Sequence, residues 1–372
     1  MRKKVIVSVI NDLVTDQRVD KVCQTLSSLN CDVCLVGRKM RNSPNLDSRG
    51  YRMHRMKLIF EKGPFFYAEY NIRLFFYLLF HKSDMLISND LDTLLPNHFI
   101  AKIKNTPLVY DSHEYFTEVP ELVHRKRTQA IWKFIERKLF PKQADIITVN
   151  DSIAGLFESD YGIRPNVVRN IPRKRQSVEK VSKKKLGLPE GSYILILQGS
   201  GINVDRGSEE LIEAMRFVNN AVLLIVGGGD VIDTLKLMTK KYGIEQKIIF
   251  KPRVPYQQLM QYTAIADLGL TLDKSTNLNY KFSLPNKLFD YIQVGIPVLS
   301  SRLPEIEKII LKYDVGDFIP DHKPKNIAKK INQILSNPLQ MEKWKKNCKF
   351  AASELTWENE EKVLIDIYSK YV

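Results

Sequence analysis

The chain is poor in cysteine. Four thiols, Cys23, Cys31, Cys34 and Cys348, are scattered over 372 residues without a paired spacing, which excludes a disulfide framework. Cys31 and Cys34 form a CxxC, but they stand in the alternating apolar run CDVCLVG with no second pair and no adjacent histidine, a setting that argues against zinc or redox chemistry. Long hydrophobic runs are missing too. The longest apolar run of the aromatic region, Leu74 to Phe80, is seven residues, against roughly 18–20 for a bilayer span. No secretory pattern is visible, and with reduced cysteines the expected location is the cytoplasm. The first strand-like segment is not followed by GxGxxG, which argues against a nicotinamide enzyme. RNA- and DNA-binding motifs are absent as well.

What is present is a soluble globular composition, 44% hydrophobic and 27% charged, with length enough for two domains. A net charge of +15 and a pI near 9.4 call for an anionic partner: nucleic acid, an anionic membrane face or a phosphorylated substrate. Basic and aromatic residues mix in one region, MHRMKLIFEKGPFFYAEYNIRLFFYLLFHKSD, residues 53–84. It reads as a core helix, as an amphipathic surface with Lys57, Lys62 and Arg73 at lipid headgroups, or as both.

Residues 5–10 (VIVSVI) and 31–37 read as buried parallel strands around a helix that carries Val19, Val22, Cys23 and Leu26 on one face and has Asp16 and Arg18 at its start. Further strands at 85–90 and 107–112 end in polar residues: Asn89, Asp90 and Asp92 after one, Asp111, His113 and Glu114 after the next. Ligands of open parallel sheets sit beyond the carboxyl ends of the strands, so both sets are expected in one crevice. Asp90 and Asp92 have DxD spacing, which capping of Thr93 explains without a metal. A second αβ series begins at YILILQGSG (193–201) and continues through AVLLIVGGGD, KIIFKPRVP and LGLTL to SLPNKLFDYIQVGIPVLS (283–300). In that last stretch Pro285 opens a helix, Asn286 and Lys287 place free N–H groups and a cation at its mouth, and Asp290 lies one turn along. The pattern describes a phosphate at the mouth and a ribose one turn in. Arg206, from another loop, is placed to join Lys287 on one diphosphate. The segment 355–372 reads as an amphipathic helix with Trp357, Val363, Leu364, Ile367 and Tyr368 as its stripe.

TDQRVDKVCQTLSSLNCDVCLVG, LVYDSHEYFTEVPEL, QGSGINVDRGSEELIEAM and LPNKLFDYIQVGIPVLSS together resemble a retaining glycosyltransferase of the GT-B type, similar to glycosyltransferase family 4 of bacterial surface-polysaccharide synthesis. The resemblance implies an α/β chain of two Rossmann-like domains facing across a cleft. An N-terminal acceptor domain would span 1–172, a linker 173–190 and a nucleotide-sugar domain 191–354, with helix 355–372 crossing back to the N-terminal domain. It implies a UDP- or GDP-sugar donor. Arg206 and Lys287 would hold the diphosphate and Asp290 the ribose. Arg253 and Val254 would lie by the base, Gly199, Ser200 and Gly201 would allow close approach, and Asn286 would stand at the helix mouth. His113, Asp90 and Glu114 would be catalytic, and Asp16, Arg18 and Asp92 would lie on the acceptor side. No cofactor or divalent metal is expected. The partners implied are the donor, a saccharide or lipid-linked acceptor and the inner face of an anionic membrane, with no nucleic acid. One departure stands out: where the family often has Glu-x7-Glu, this chain has Phe282 and Asp290, so sugar recognition differs in part. The same fold serves nucleotide-sugar epimerases, and a basic nucleic-acid-binding protein is the non-enzymatic alternative.

Overall fold

The structure is a computed structural model that describes residues 2–14, 16–41, 43–174, 178 and 181–372. The chain divides into two units: residues 1–170 with 277–279 and 360–372, and residues 171–276 with 280–359. Of the expected linker, 175–177, 179 and 180 lie outside the described residues; the remainder is counted with the second unit, where Leu188 is buried.

The first unit runs β1 (Lys4–Ser8), α1 (Gln17–Ser28), β2 (Asp32–Lys39), β3 (Arg52–Lys57), α2 (Gly63–Phe80), β4 (Met85–Asn89), α3 (Leu91–Lys104), β5 (Leu108–Ser112), α4 (Pro120–Val123), α5 (Lys126–Leu139), β6 (Asp145–Thr148), α6 (Asp151–Tyr161) and β7 (Asn166–Val167). Its seven strands are ordered β3-β2-β1-β4-β5-β6-β7, all pairings being parallel. The central strands are buried over their whole length, as strands covered on both faces must be. That is why they read as continuous apolar runs.

The second unit runs β8 (Tyr193–Gly199), α7 (Ser208–Ala214), β9 (Ala221–Gly227), α8 (Ile232–Lys241), β10 (Ile248–Lys251), α9 (Tyr256–Ala264) and β11 (Leu268–Thr271). After α10 (Leu278–Lys281), whose first two residues are counted with the first unit, it continues through α11 (Asn286–Val294), β12 (Val298–Ser300), α12 (Pro304–Tyr313), β13 (Gly316–Phe318), α13 (Pro324–Leu335) and α14 (Pro338–Glu354). The six parallel strands are ordered β10-β9-β8-β11-β12-β13. Period-two alternation divides its core: Leu195, Leu197, Leu223 and Ile225 join one apolar cluster, whereas Ile194, Ile196, Val222 and Leu224 join the other. The last helix, α15 (Trp357–Tyr368), buries Trp357, Leu364, Ile367 and Tyr368. Its Trp357 N–H donates to Pro172 O at 3.0 Å in the second unit, while its later residues belong to the first, where Thr25 Oγ1 donates to Glu361 at 3.1 Å.

In each sheet the chain reverses its direction of strand addition at one place, between β1 and β4 and between β8 and β11. A crevice opens at the carboxyl ends there. Both candidate sites lie at such a point.

Candidate functional site

In the second unit, α11 begins after Pro285 with no side chain capping its first N–H groups, so the positive end of the helix is left for an anion. Lys287 lies in its first turn, with 12% of its side chain exposed, and its Nζ is 3.3 Å from Asp273 Oδ2. Arg206 Nη1 donates to Asp273 Oδ1 at 2.9 Å, and the guanidinium lies over the Tyr280 ring at 4.3 Å. Asp273 therefore draws the two expected diphosphate cations together. Thr271 Oγ1 donates to its other oxygen at 3.0 Å. Burial works against the Asp273 charge, but Lys287 and Arg206 outweigh it and hold the carboxyl below its ordinary value. Burial pushes the Lys287 amine down.

Gly199, Ser200 and Gly201 follow β8. The loop is packed backbone to backbone against the glycines after β9: Ile202 N donates to Gly228 O at 2.9 Å and Gly228 N to Gly199 O at 3.1 Å. A Cβ at Gly229 would sit 2.0 Å from Ile202 O, which is why no larger residue fits. Arg253 Nη2 donates to Ser200 O at 2.5 Å, so its loop joins the same crevice. Val254 packs on the apolar cluster beneath, and Asn286 is exposed.

Asp290 departs from expectation. Its oxygens accept hydrogen bonds from Tyr256 Oη at 2.6 Å and Gln198 Nε2 at 3.0 Å, and only 6% of the residue is exposed. The carboxylate ties α11 to β8 and α9 rather than standing open to a pair of hydroxyls.

In the first unit, Asn89, Asp90, Asp111 and His113 converge beyond β4 and β5. Asn89 Nδ2 donates to Ser8 O at 2.9 Å and thereby stitches the β1/β4 switch point. Asp90 has φ 58° and ψ 167°, a region that non-glycine residues occupy at a cost of about 1–3 kcal/mol. Its backbone N donates to Asp111 O at 2.9 Å, and its Oδ1 accepts the His113 N–H at 2.8 Å. The imidazole is held on both sides, Nδ1 lying 3.4 Å from Asp90 Oδ2 and Nε2 3.1 Å from Asn89 Oδ1 and 3.5 Å from Asp111 Oδ2. Burial opposes charge on this ring, but Asp90 and Asp111 outweigh it and raise His113 to about 9. At neutral pH the ring is an imidazolium, a donor rather than a base.

Glu114 is the opposite case. Burial and the nearby Asp90 charge push its carboxyl up to about 7, although Asn279 Nδ2 donates to it at 3.0 Å. Asp92 too is raised well above its ordinary value, by burial and by Asp90 and Glu114. It is 5% exposed, and its Oδ1 has no hydrogen-bond partner among the described residues. The cluster thus sets the His113 imidazolium beside an ionised Asp111 and two carboxyls, Asp92 and Glu114, that hold their protons more firmly than usual, a setting for binding hydroxyl groups and moving a proton at Glu114.

Two acceptor-side candidates have other tasks. Arg18 is 2% exposed and makes a bidentate pair with Asp111, Nη2–Oδ1 2.7 Å and Nε–Oδ2 3.1 Å, with Nη1 donating to Val168 O at 2.7 Å. It fixes Asp111 beneath His113. Asp16 caps α1 by accepting the Val19 N–H at 3.1 Å and takes Asn11 Nδ2 at 3.3 Å. Among the described residues no group of three or more His, Cys, Asp or Glu side chains is suited to a metal.

Sequence reasoning missed Asp273, Asn279, Tyr256 and Gln198. Asp273 carried a signal: it follows β11 as Asp90 follows β4, and the strand-end rule applied to the first sheet would have found it in the second.

The aromatic segment resolves into β3 and α2. Phe66, Tyr70, Leu74 and Leu78, four residues apart, are buried, with Tyr70 Oη donating to Val9 O at 2.7 Å. Phe65, Ile72, Phe76 and Phe80 are exposed, Phe80 to 78%, and so are Phe99 and Ile103 of α3, a helix packed on α2. Lys57 and Lys62 are exposed nearby, and Arg73 pairs with Glu69 at 2.8 Å. No helix among the described residues is long and apolar enough to cross a membrane.

Comparison with known proteins bears on the fold. Residues 16–173 match the family model described as Glycosyltransferase Family 4, and residues 178–349 match the one described as Glycosyl transferases group 1. The sucrose-phosphate synthase of Thermosynechococcus elongatus has a similar structure, with a TM-score of 0.80 at 16% identity over 99% of each chain. The Anabaena protein Alr3699/HepE, solved with UDP and glucose, has a TM-score of 0.74 at 13% identity, covering 99% of this chain and 100% of that one. Two Rossmann-like sheets with these structural neighbours define the GT-B fold. The two matches, one to each family model, together take in most of the chain. A curated relative, the GDP-mannose-dependent alpha-(1-6)-phosphatidylinositol monomannoside mannosyltransferase of Mycolicibacterium smegmatis, is 23% identical over 138 residues. The match covers 36% of this chain and 36% of that protein.

Proposed function

We propose that the protein is a retaining glycosyltransferase that moves a hexosyl or N-acetylhexosaminyl group from a UDP- or GDP-sugar to a hydroxyl of a saccharide or lipid-linked saccharide. The observation that carries this reading is the convergence of Arg206 and Lys287 at the uncapped mouth of α11. Two cations and a helix N-terminus are what a departing diphosphate needs. They stabilise the leaving-group charge as fixed electrostatics, so no divalent metal is required, and losing one cation costs about 10²–10³-fold in turnover. Asp92 and Glu114 supply acceptors for acceptor hydroxyls, and the His113 imidazolium is the donor of the first unit. In the retaining reaction the leaving phosphate itself assists deprotonation of the acceptor.

The exposed apolar face of α2 and α3, with Lys57 and Lys62 beside it, supports peripheral contact with an anionic membrane where a lipid-linked acceptor resides. The M. smegmatis relative, whose name includes a phosphatidylinositol acceptor, is consistent with that.

The test is a thermal-shift screen of wild type and Lys287→Ala against nucleoside diphosphates and their sugars. A ligand that binds only the folded state raises its stability. A shift in wild type that vanishes in the variant supports the reading; no shift with any nucleotide, alongside a shift with oligonucleotide, refutes it.

A further inference from the structure

One member of the α11 mouth carries the wrong charge for an anion site. Asp273 is fully buried, and among the described residues it is the only ion-pair partner of both Arg206 and Lys287. Two cations sharing one carboxylate leave a single net positive charge where an unopposed pair would leave two. The arrangement is built, not incidental: Thr271 Oγ1 fixes one oxygen of Asp273, and the Tyr280 ring supports the guanidinium. Arg206 Nε is buried without a hydrogen-bond partner among the described residues. A diphosphate arriving here competes with a resident anion for the same N–H groups.

A site for a leaving group gains nothing from holding the product too firmly. Binding energy shared by ground state and transition state does not raise kcat, and product release limits many enzymes. We propose that Asp273 is a resident counter-anion that keeps Arg206 and Lys287 in place when the site is empty, competes with the diphosphate for both, and so lets the nucleoside diphosphate leave. The proposal rests on the donor-site reading above. It makes Asp273 a positioning residue, since it acts through the two cations.

The experiment is isothermal titration of UDP and GDP into the full chain as wild type, Asp273→Asn, Lys287→Met and the double variant. The net charge of the trio is then +1, +2, 0 and +1. Each unit of charge at contact distance changes affinity by about fivefold under water-like screening and by up to about 10³-fold where screening is weaker, so a site between these limits shifts by at least about tenfold. Asp273→Asn is expected to bind the diphosphate about tenfold tighter than wild type and to show a lower kcat with stronger product inhibition. Lys287→Met is expected to bind about tenfold weaker, and the double variant to return to within about threefold of wild type. A merely structural Asp273 moves the first and last values the other way. Asp273→Asn binding no tighter than wild type, or a double variant as weak as Lys287→Met, overturns the proposal. If Asp273→Asn fails to fold, Lys287→Met against the double variant decides, because the double variant leaves one cation rather than two without a countercharge, and that cation, Arg206, is partly exposed and supported by the Tyr280 ring. Wild type that binds neither nucleotide refutes the donor site itself, a failure visible before any variant is compared.

Discussion

Replacing Arg18 by methionine is expected to cost about 3–5 kcal/mol of folding stability, the usual penalty for stranding a buried charge. Methionine keeps most of the apolar length, so the loss reports on the guanidinium. Arg18 uses three of its N–H groups at 2.7–3.1 Å, two on Asp111 and one on Val168 O. Without it, Asp111, fully buried, keeps only His113 at 3.5 Å as a countercharge. Urea unfolding of the variant against wild type measures the loss. The double variant Arg18→Met/Asp111→Leu is expected to recover most of it, because removing both charges removes the desolvation cost of each. There is also a pH signature. Arg18 holds Asp111 well below its ordinary 3.8, and a depressed carboxyl contributes stability that is present above 3.8 and lost as pH falls. In the single variant that acid-side slope flattens. A loss below about 1 kcal/mol, the range of exposed pairs, or a double variant no better than the single, refutes the reasoning.

Glu114, raised from 4.5 to about 7, holds its proton more firmly folded than unfolded, so its contribution is present below pH 4.5 and lost as pH rises through 7. Glu114→Gln is therefore expected to gain in Tm relative to wild type between pH 5 and 8, and a difference independent of pH counts against the assignment. Gly207→Ala places a Cβ 2.2 Å from Leu272 O at a residue with φ +71°; a loss of about 2 kcal/mol or more by denaturant titration is expected, and a neutral result rejects the close packing of that turn. Phe76→Asp with Phe80→Asp is expected to abolish sedimentation with anionic vesicles at low salt while leaving stability within about 0.5 kcal/mol; unchanged sedimentation removes α2 from the membrane contact.

The layered αβ plan was legible because fully buried parallel strands leave uninterrupted apolar runs, and strand ends such as Asn89-Asp90 and Asp111-Ser112-His113 followed from where such sheets hold their ligands. Side-chain direction was not. Arg18 looked like a cation at the start of a helix, and only the fold, by setting Asp111 of β5 beneath α1, turns it inward. Asp290 has the right spacing from Lys287, but its partners Gln198 and Tyr256 come from β8 and α9. The Asp273 cluster joins loops that are remote in the chain, so only tertiary structure shows that Arg206 and Lys287 share one anion. The aromatic segment was ambiguous for a physical reason. With apolar residues on nearly every face of α2, periodicity alone does not say which stripe, Phe66-Tyr70-Leu74-Leu78 or Phe65-Ile72-Phe76-Phe80, goes inside.

The backbone of Asp90 bears on how this chain can change. Its dihedrals suit glycine, so a mutation to glycine relaxes the main chain while releasing the His113 backbone N–H from Oδ1 and the imidazole Nδ1 from Oδ2. Selection for thermal stability alone would therefore drift toward a firmer chain with a loosened histidine. A library sorted only by melting temperature will enrich that variant, and Asp90 is the position to hold fixed when the protein is engineered for robustness.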